Sequence, residues 1–298
     1  MKKLQVWISA CRLRTLPLSI SGAIVGSGVA YSMGLFNSTI FVLTILSTLS
    51  LQILSNLAND YGDGVKGTDN QNRIGPERAL QSGVISPKQM KNAITINVII
   101  CFFLVVALIY KAFGIDKFLT SLVFIALGAI AIISAIKYTV GTSAYGYKAL
   151  GDVVVFLFFG WLSVLGTYFL YSNQINFSMF LPASSIGLLS AAVLNLNNMR
   201  DFESDKLSNK HTLAGLFGLN NSRYYHLALI LIAMLLMLLY FGLSSEYLLM
   251  MIGFIPLFIH MFIFYKVQTP KNYDPQLKVL ALSTFLVALI FSAIHVLI

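Results

Sequence analysis

The sequence is poor in acidic side chains and in cysteine. Only 11 of its 298 residues are Asp or Glu, and charged residues of both signs make up 10% of the chain. The two cysteines, Cys11 and Cys101, show neither a metal-binding spacing nor the basis of a disulfide framework. No stretch is polar and long enough to form a separate soluble domain. No basic stripe with interleaved aromatic residues is present, so the sequence gives no indication of nucleic-acid binding.

The apolar content predicts a protein embedded in the lipid bilayer. Hydrophobic residues make up 57% of the chain and the mean hydropathy is +0.81. Apolar runs of about 20 residues, each long enough to cross a membrane, recur along the chain. We therefore expect an all-α, polytopic membrane protein with nine transmembrane helices around a central cavity. The predicted spans are 15–35, 38–58, 92–112, 118–136, 151–171, 178–197, 224–243, 246–266 and 278–298.

The basic residues sort to one side of these spans. If the N-terminus is cytoplasmic and the spans alternate, 18 of the 20 Lys and Arg residues fall on the cytoplasmic side, and the exceptions are Lys111 and Lys117. The positive-inside rule then predicts an N-in, C-out topology. We expect a multi-pass protein of the cytoplasmic (inner) membrane whose active site faces the cytoplasm. Before the first span, Leu4, Trp7 and Ile8 have the spacing of a short interfacial helix.

Five of the eight aspartates lie in two short stretches, each at the C-terminal end of an apolar run. Carboxylates at a membrane boundary are costly unless they are paired or bound to metal, so such a cluster indicates function. On a helix, each stretch places one asparagine and two aspartates within an arc of roughly 60°. The two sets are Asn56, Asp60 and Asp63, and Asn198, Asp201 and Asp205.

The two stretches occupy comparable positions, after the second and sixth spans. They begin loops predicted at 59–91 and 198–223, and loops this long in a compact protein usually carry function. We interpret 1–298 as a single domain with an internal repeat of about 1–140 and 141–270. Such a repeat would direct both carboxylate sets toward a shared cavity on the cytoplasmic side.

Three chemistries fit these carboxylates. They can be solvated loop charges, they can form the ion path of an ion-coupled secondary transporter, or they can bind Mg²⁺ that grips a diphosphate. The third is favoured because the carboxylates lie at span ends, in two matching sets. Nearby basic residues would neutralise the diphosphate, although each also serves as a topology determinant. They are Lys66, Arg73, Arg78, Arg200, Lys206 and Lys210.

At these residues the chain resembles the UbiA superfamily of membrane aromatic prenyltransferases. The superfamily's paired motifs correspond to Asn56–Asp60–Asp63 and to Asp201–Asp205. Within it, the resemblance is greatest to the branch that prenylates 1,4-dihydroxy-2-naphthoate in menaquinone synthesis. The supporting strings are RLRTLP (12–17), LSNLANDYGDGVKGTD (54–69), RIGPER (73–78), YGYKALGD (145–152), FFGW (158–161) and NNMRD (197–201).

The resemblance implies a Mg²⁺-dependent reaction in which two ions bridge the diphosphate of a polyprenyl diphosphate. Ionisation of the allylic C–O bond would let the dihydroxynaphthoate ring attack, and loss of CO₂ would give demethylmenaquinone. The alternative acceptors are 4-hydroxybenzoate and homogentisate. Many relatives carry a further aspartate where Gly67 stands, so Asp69 is the expected substitute.

The resemblance also assigns site residues. The catalytic set is Asp60, Asp63, Asp201 and Asp205. Asn56, Asp69 and Asn198 join it as metal ligands. Residues at the ends of the first, fourth and fifth spans are candidates for the acceptor pocket or, alternatively, interfacial anchors. They are Arg12, Arg14, Lys137, Tyr138, Tyr145, Tyr147, Lys148 and Asp152.

Overall fold

The computed structural model describes residues 3–69, 74–242, 246–267 and 269–297. Within these ranges the fold is helical, and the only extended pairing is an isolated bridge between Lys148 and His211. The helices are α1 (Lys3–Ala10), α2 (Leu16–Ser32), α3 (Ser38–Lys66), α4 (Pro87–Phe113), α5 (Phe118–Lys137), α6 (Gly151–Val155), α7 (Ser163–Ser172), α8 (Phe180–Arg200), α9 (Phe202–Leu207), α10 (Leu213–Phe241), α11 (Glu246–Lys266) and α12 (Tyr273–Leu297).

Nine helices in the described part of the chain are long and apolar enough to cross a membrane, which confirms the predicted number of spans. The fifth combines α6 and α7 through a π-helical segment, Phe156–Leu162. The short helix α1 precedes α2 as predicted. Its Leu4 and Ile8 side chains are exposed while Val6 is buried, as expected for a helix lying at a membrane interface.

The two aspartate stretches are more helical than the sequence pattern predicted. α3 continues to Lys66, where Gly67 adopts φ 75° and ends it, so the aspartates at 60 and 63 belong to the helix. The loop to α4 is correspondingly shorter than 59–91. After α8, the second predicted loop contains α9, and α10 begins at Leu213. Both stretches are thus held on helix ends, which fixes their side-chain directions.

Close helix packing surrounds the central cavity. α2 packs against α7 and α12, and α8 packs against α10 and the π-helical segment. A Cβ on Gly22 would lie 2.4 Å from Ser163 Oγ, and one on Gly28 would lie 2.3 Å from Ser292 Oγ. These glycines therefore allow α2 to approach its neighbours, as small residues do at transmembrane helix interfaces.

Candidate active site

A central cavity of about 390 Å³ lies among α2, α3, α4, α5, the π-helical segment, α8 and α12. Its apolar part is lined from the middle of the spans, by residues that include Leu108, Phe124, Phe158, Phe159 and Leu162. Its polar part is formed where α3 and α8 end and α12 begins. The charged and amide residues there are Arg12, Arg14, Gln52, Asn56, Asn59, Asp63, Asp69, Arg78, Asn197, Asp201, Asp205, Lys210 and Lys278.

The two aspartate stretches meet at Lys210. Its Nζ lies 3.8 Å from Asp63 Oδ2 on α3 and 3.6 Å from Asp205 Oδ1 on α9. All three side chains are largely buried. The Tyr147 hydroxyl donates a 2.7 Å hydrogen bond to Asp63 Oδ1 and accepts one from Thr68 Oγ1. Carboxylates from both stretches therefore face one buried point of positive charge.

Burial and the charge of the partner act in opposite directions on the pKa values of Asp205 and Lys210. Burial raises the pKa of Asp205 to about 6, although the Lys210 ammonium opposes this rise. Burial disfavours the charged form of Lys210, yet the Asp63 and Asp205 carboxylates raise its pKa above the ordinary value. Burial and the nearby Asp63 also raise the pKa of Tyr147, so its hydroxyl stays protonated as a donor.

Asp201 is oriented by its neighbour in sequence. The Arg200 guanidinium is fully buried, and its Nε and Nη2 donate to the two oxygens of Asp201 at 2.8 and 2.7 Å. Nη2 also donates to Asn197 Oδ1 at 2.9 Å, and Nη1 donates to Asp274 Oδ1 at 2.5 Å. Arg200 was predicted to bind diphosphate; it does not line the cavity and instead holds two residues that do.

The structure separates Asp60 from the other predicted catalytic aspartates. Its carboxylate accepts hydrogen bonds from the backbone N–H groups of Ala79 and Leu80, at 3.0 and 3.3 Å. Asp60 borders a second cavity beside α1 and residues 76–79 rather than the central one. A 40° difference in helical direction from Asn56 was enough to turn this side chain toward the following loop.

The amides are also distributed differently from the prediction. Asn56 lines the cavity, but its side-chain NH₂ donates to the Cys11 carbonyl at 2.9 Å. Asn198 is buried outside the cavity lining. Asn59 and Asn197, which were not predicted, do line the cavity. Each precedes a cavity-lining aspartate, Asp63 or Asp201, by four residues, and that i, i+4 spacing was the available signal.

The predicted diphosphate-binding residues divide into two groups. Arg78 and Lys210 line the cavity, and Arg78 Nε lies 3.9 Å from Asp69 Oδ2. Lys66 instead donates to the Thr139 carbonyl at 2.7 Å, and Lys206 is exposed outside the cavity. Arg73 lies outside the described residues. The sequence prediction overlooked Lys278, which enters the lining because α12 begins five residues earlier than the predicted span.

The predicted acceptor residues divide in the same way. Arg12, Arg14, Tyr138 and Tyr145 line the cavity. Burial raises the pKa of Tyr138 to about 12, so its hydroxyl remains neutral. The other four do not line the cavity. Tyr147 donates to Asp63, and Asp152 is hydrogen-bonded to the Tyr225 hydroxyl. Lys137 and Lys148 are exposed.

The site supplies oxygen ligands of the kind that Mg²⁺ prefers. The Oδ2 atom of Asp205 is buried without a hydrogen-bond partner in the described structure. No three His, Cys, Asp or Glu side chains within the described ranges come close enough to hold one ion together. Mg²⁺ is usually bound by one or two carboxylates, with water and substrate phosphate completing its shell.

Comparisons with known proteins identify the family. The model of the UbiA prenyltransferase family matches residues 19–295. The 1,4-dihydroxy-2-naphthoate octaprenyltransferase of Haemophilus influenzae is 39% identical over 297 residues, which cover 98% of this chain and 96% of that protein. The Escherichia coli protein of the same name is 44% identical over 227 residues, covering 76% and 73%.

A solved structure shares the fold. A UbiA homolog from Archaeoglobus fulgidus, bound to DMAPP and Mg²⁺, aligns with a TM-score of 0.65 at 16% identity, covering 96% of this chain and 99% of that one. The all-helical architecture predicted from the sequence is thereby confirmed. The chain belongs to the UbiA prenyltransferase family.

Proposed function

We propose that this protein transfers a polyprenyl group from polyprenyl diphosphate to 1,4-dihydroxy-2-naphthoate, with loss of CO₂ and diphosphate. The observation that carries the proposal is the convergence of Asp63 and Asp205 on Lys210 at the polar end of an apolar cavity. Such a site suits a substrate with a diphosphate head and a hydrocarbon tail. The relatives named for this acceptor support the choice of ring substrate.

The diphosphate would lie at the polar end of the cavity. Mg²⁺ would be held by the carboxylates of Asp63, Asp201 and Asp205 and by the amide oxygens of Asn59 and Asn197, which line this end of the cavity. Two ions, one at each helix end, would fit this arrangement. When bound, Mg²⁺ neutralises the diphosphate and makes it a better leaving group. The Mg²⁺ bound to the UbiA homolog from Archaeoglobus fulgidus supports the choice of metal. Asp60 is left out of the ligand set because it does not line the central cavity and its carboxylate accepts from two backbone N–H groups.

Basic side chains would share the charge of the departing diphosphate. Lys210 already lies between Asp63 and Asp205 and can donate to a phosphate oxygen when those carboxylates bind metal. Arg78 and Lys278 line the same end of the cavity. Preorganised charges that face the leaving group stabilise the transition state of C–O ionisation.

The apolar part of the cavity would hold the first isoprene units. Phe158, Phe159 and Leu162 project into it from the π-helical segment. π-Helical insertions in α-helices occur frequently at functional sites, because the extra residue redirects the side chains around it. An apolar lining excludes water, which would otherwise capture the allylic cation before the ring attacks.

The acceptor is expected beside the arginines of the cavity. Arg12 and Arg14 line it at the start of α2, and Tyr138 and Tyr145 line it after α5. The guanidinium groups suit the acceptor carboxylate, and the ring carbon that bears this carboxylate receives the prenyl group. By atom balance, the products are CO₂, diphosphate and demethylmenaquinol, which is the reduced form of demethylmenaquinone.

The proposed orientation is N-in and C-out in the cytoplasmic (inner) membrane. The ends of α3 and α8 then face the cytoplasm, together with 18 of the 20 Lys and Arg residues. A soluble anionic acceptor would therefore reach the site from the cytoplasm, while the prenyl substrate arrives from the bilayer.

Turnover by purified protein in detergent tests this function. The reaction contains a polyprenyl diphosphate, Mg²⁺ and 1,4-dihydroxy-2-naphthoate, with an EDTA control and a parallel reaction containing 4-hydroxybenzoate. We expect a prenylated naphthalene product with CO₂ release, abolished by EDTA. Product from the benzoate alone would overturn the acceptor assignment. Absence of product from either acceptor, together with ion flux in proteoliposomes, would favour a transporter.

A further inference from the structure

Asp274, in the first turn of α12, contacts the second aspartate stretch through a buried arginine. Its Oδ1 accepts from Arg200 Nη1 at 2.5 Å, while the other guanidinium nitrogens bind both oxygens of Asp201. Asp274 Oδ2 also lies 3.7 Å from Arg14 Nη1. The ninth span is thereby connected to the sixth span and to the segment before the first. No sequence motif singled out Asp274.

The charges in this cluster decide how Asp201 behaves. Arg200 is fully buried, and paired with Asp201 alone it would cancel the negative charge that Asp201 offers to the cavity. A second carboxylate on the far side of the guanidinium takes a share of that positive charge. Arg200 and the two carboxylates together carry a net negative charge, and Arg14 Nη1, 3.7 Å from Asp274 Oδ2, is a further cation beside them. The hydrogen bond from Nη1 to Asp274 anchors the guanidinium that donates to both oxygens of Asp201.

We propose that Asp274 is a positioning residue for the cation site: it acts through Arg200 to orient Asp201 and to keep that carboxylate negative enough to bind Mg²⁺. This inference rests on the proposed function, because it assumes that Asp201 faces metal and diphosphate. Residues that orient a metal ligand commonly change metal affinity about 10- to 100-fold when they are replaced. Asp274 would belong to this class without touching the substrate.

Direct metal binding tests the inference without requiring turnover. The free Mn²⁺ signal in electron paramagnetic resonance is titrated against purified protein with geranyl thiolodiphosphate, an analogue that resists ionisation. Asp274→Asn removes the charge and retains the shape, whereas Asp274→Glu retains the charge. Asp116→Asn is the matched control, because Asp116 is an exposed acidic residue between α4 and α5. Thermal unfolding of each variant reports on its structure.

We expect Asp274→Asn to weaken Mn²⁺ binding by about tenfold or more, and Asp274→Glu and Asp116→Asn to stay within about threefold of the wild type. Equal affinity of Asp274→Asn and wild type would overturn the inference, as would a Glu variant as weak as the Asn variant. If Asp274→Asn does not fold, Asp274→Ser replaces it under the same criterion, since serine is well tolerated at a helix start.

The outcome is distinguishable from failure of the proposed function. That function fails if wild-type protein, with Mn²⁺ or Mg²⁺ bound, forms no prenylated naphthalene product. The inference about Asp274 fails if wild-type protein binds Mn²⁺ and the neutral variant binds it equally well, whatever acceptor the enzyme uses. If Asp274→Glu binds Mn²⁺ as tightly as wild type while Asp274→Asn does not, the charge of residue 274 is what matters, rather than a purely structural role.

Discussion

At the scale of residues, Asp63 and Asp205 carry the proposed chemistry. Replacing either with asparagine removes one of the two carboxylates that face Lys210, while the side-chain volume stays nearly constant. We expect turnover to fall by about 100-fold or more, because the site would lose a carboxylate that holds Mg²⁺ against the leaving diphosphate. Steady-state assays with Asp116→Asn as control measure this. Either variant retaining near wild-type turnover would contradict the two-stretch site.

Asp60 should behave differently from those two residues. Its carboxylate binds the backbone N–H groups of Ala79 and Leu80, and these would lose their partner in Asp60→Ala. Unsatisfied buried donors cost about 1–3 kcal/mol each, so we expect a lower unfolding midpoint and easier proteolysis within residues 74–86. Asp60→Asn, which keeps one acceptor oxygen, should retain Mn²⁺ affinity. Loss of Mn²⁺ binding in a folded Asn variant would return Asp60 to the ligand set.

Protonation of Asp205 should compete with metal binding. Burial raises its pKa to about 6 in the folded protein, so the carboxylate is protonated at a higher pH than in the unfolded chain. Because the folded protein binds this proton more tightly than the unfolded chain does, Asp205 adds to the free energy of unfolding. The contribution is complete below about pH 4 and is lost as pH rises through about 6. Metal requires the ionised form, so Mn²⁺ affinity should decline as pH falls below about 6.

Lys210 sets the position of that decline. Its ammonium lowers the pKa of Asp205, so Lys210→Gln should move the fall in Mn²⁺ affinity to higher pH. Lys206→Gln is the matched control, since Lys206 is exposed on the same side of the protein. Mn²⁺ titrations over a pH series measure both variants. A Lys210→Gln profile that coincides with that of wild type would show that Lys210 does not act on Asp205.

Much of this site was predictable from residue spacing, and the rest depended on side-chain direction. Acidic residues are scarce in this sequence, and most aspartates lie at the ends of spans. These two facts pointed to both stretches, and so to Asp63, Asp201 and Asp205. Neighbouring residues on a helix point in directions that differ by about 100°, and this difference decides whether Asp60 or Asn59 faces the cavity. Span boundaries predicted to within a few residues do not determine that direction. Partners distant in sequence, such as Asp274, emerge only when helices pack.

At the scale of elements, the π-helical segment in the fifth span shapes the cavity. A Cβ on Gly160 would lie 2.5 Å from the Ala183 carbonyl oxygen and 2.8 Å from Gly187 Cα, so Gly160→Ala should force α8 away. We expect destabilisation of about 1–3 kcal/mol. Gly166→Ala is the matched control, because its nearest heavy atom would be Leu162 Cδ1 at 3.6 Å. Thermal unfolding in detergent should distinguish them; equal midpoints would contradict this packing.

Hydropathy predicted the elements well and their ends less well. The apolar runs marked all nine spans, but α3 extends through polar residues to Lys66. α10 begins at Leu213 and is kinked at Gly218, where φ is 74°, and the part after the kink still starts before residue 224. Polar residues at a helix end lower the hydropathy but do not end the helix, because other protein groups and water at the membrane boundary provide their hydrogen-bond partners. The aspartate stretches therefore lie on rigid helix ends rather than in loops, which favours a preorganised site.

At the scale of the whole molecule, the orientation remains a prediction that labelling can test. In a Cys11→Ser/Cys101→Ser background, Lys206→Cys and Asp116→Cys place single thiols at exposed positions beyond opposite ends of the spans. The N-in topology predicts that a membrane-impermeant maleimide added to intact cells labels position 116 and not position 206. The reverse pattern would invert the topology. The internal repeat of about 1–140 and 141–270 likewise stays a prediction.

In the proposed function, two helix ends from opposite halves of the chain form one metal–diphosphate site. Anomalous diffraction from crystals grown with Mn²⁺ and geranyl thiolodiphosphate tests it most directly. We expect Mn²⁺ peaks within coordination distance of Asp63 and of the Asp201–Asp205 stretch, with Lys210 Nζ moved onto the diphosphate. Peaks at Asp60, or peaks that contact neither Asp63 nor Asp205, would contradict this assignment of the metal ligands.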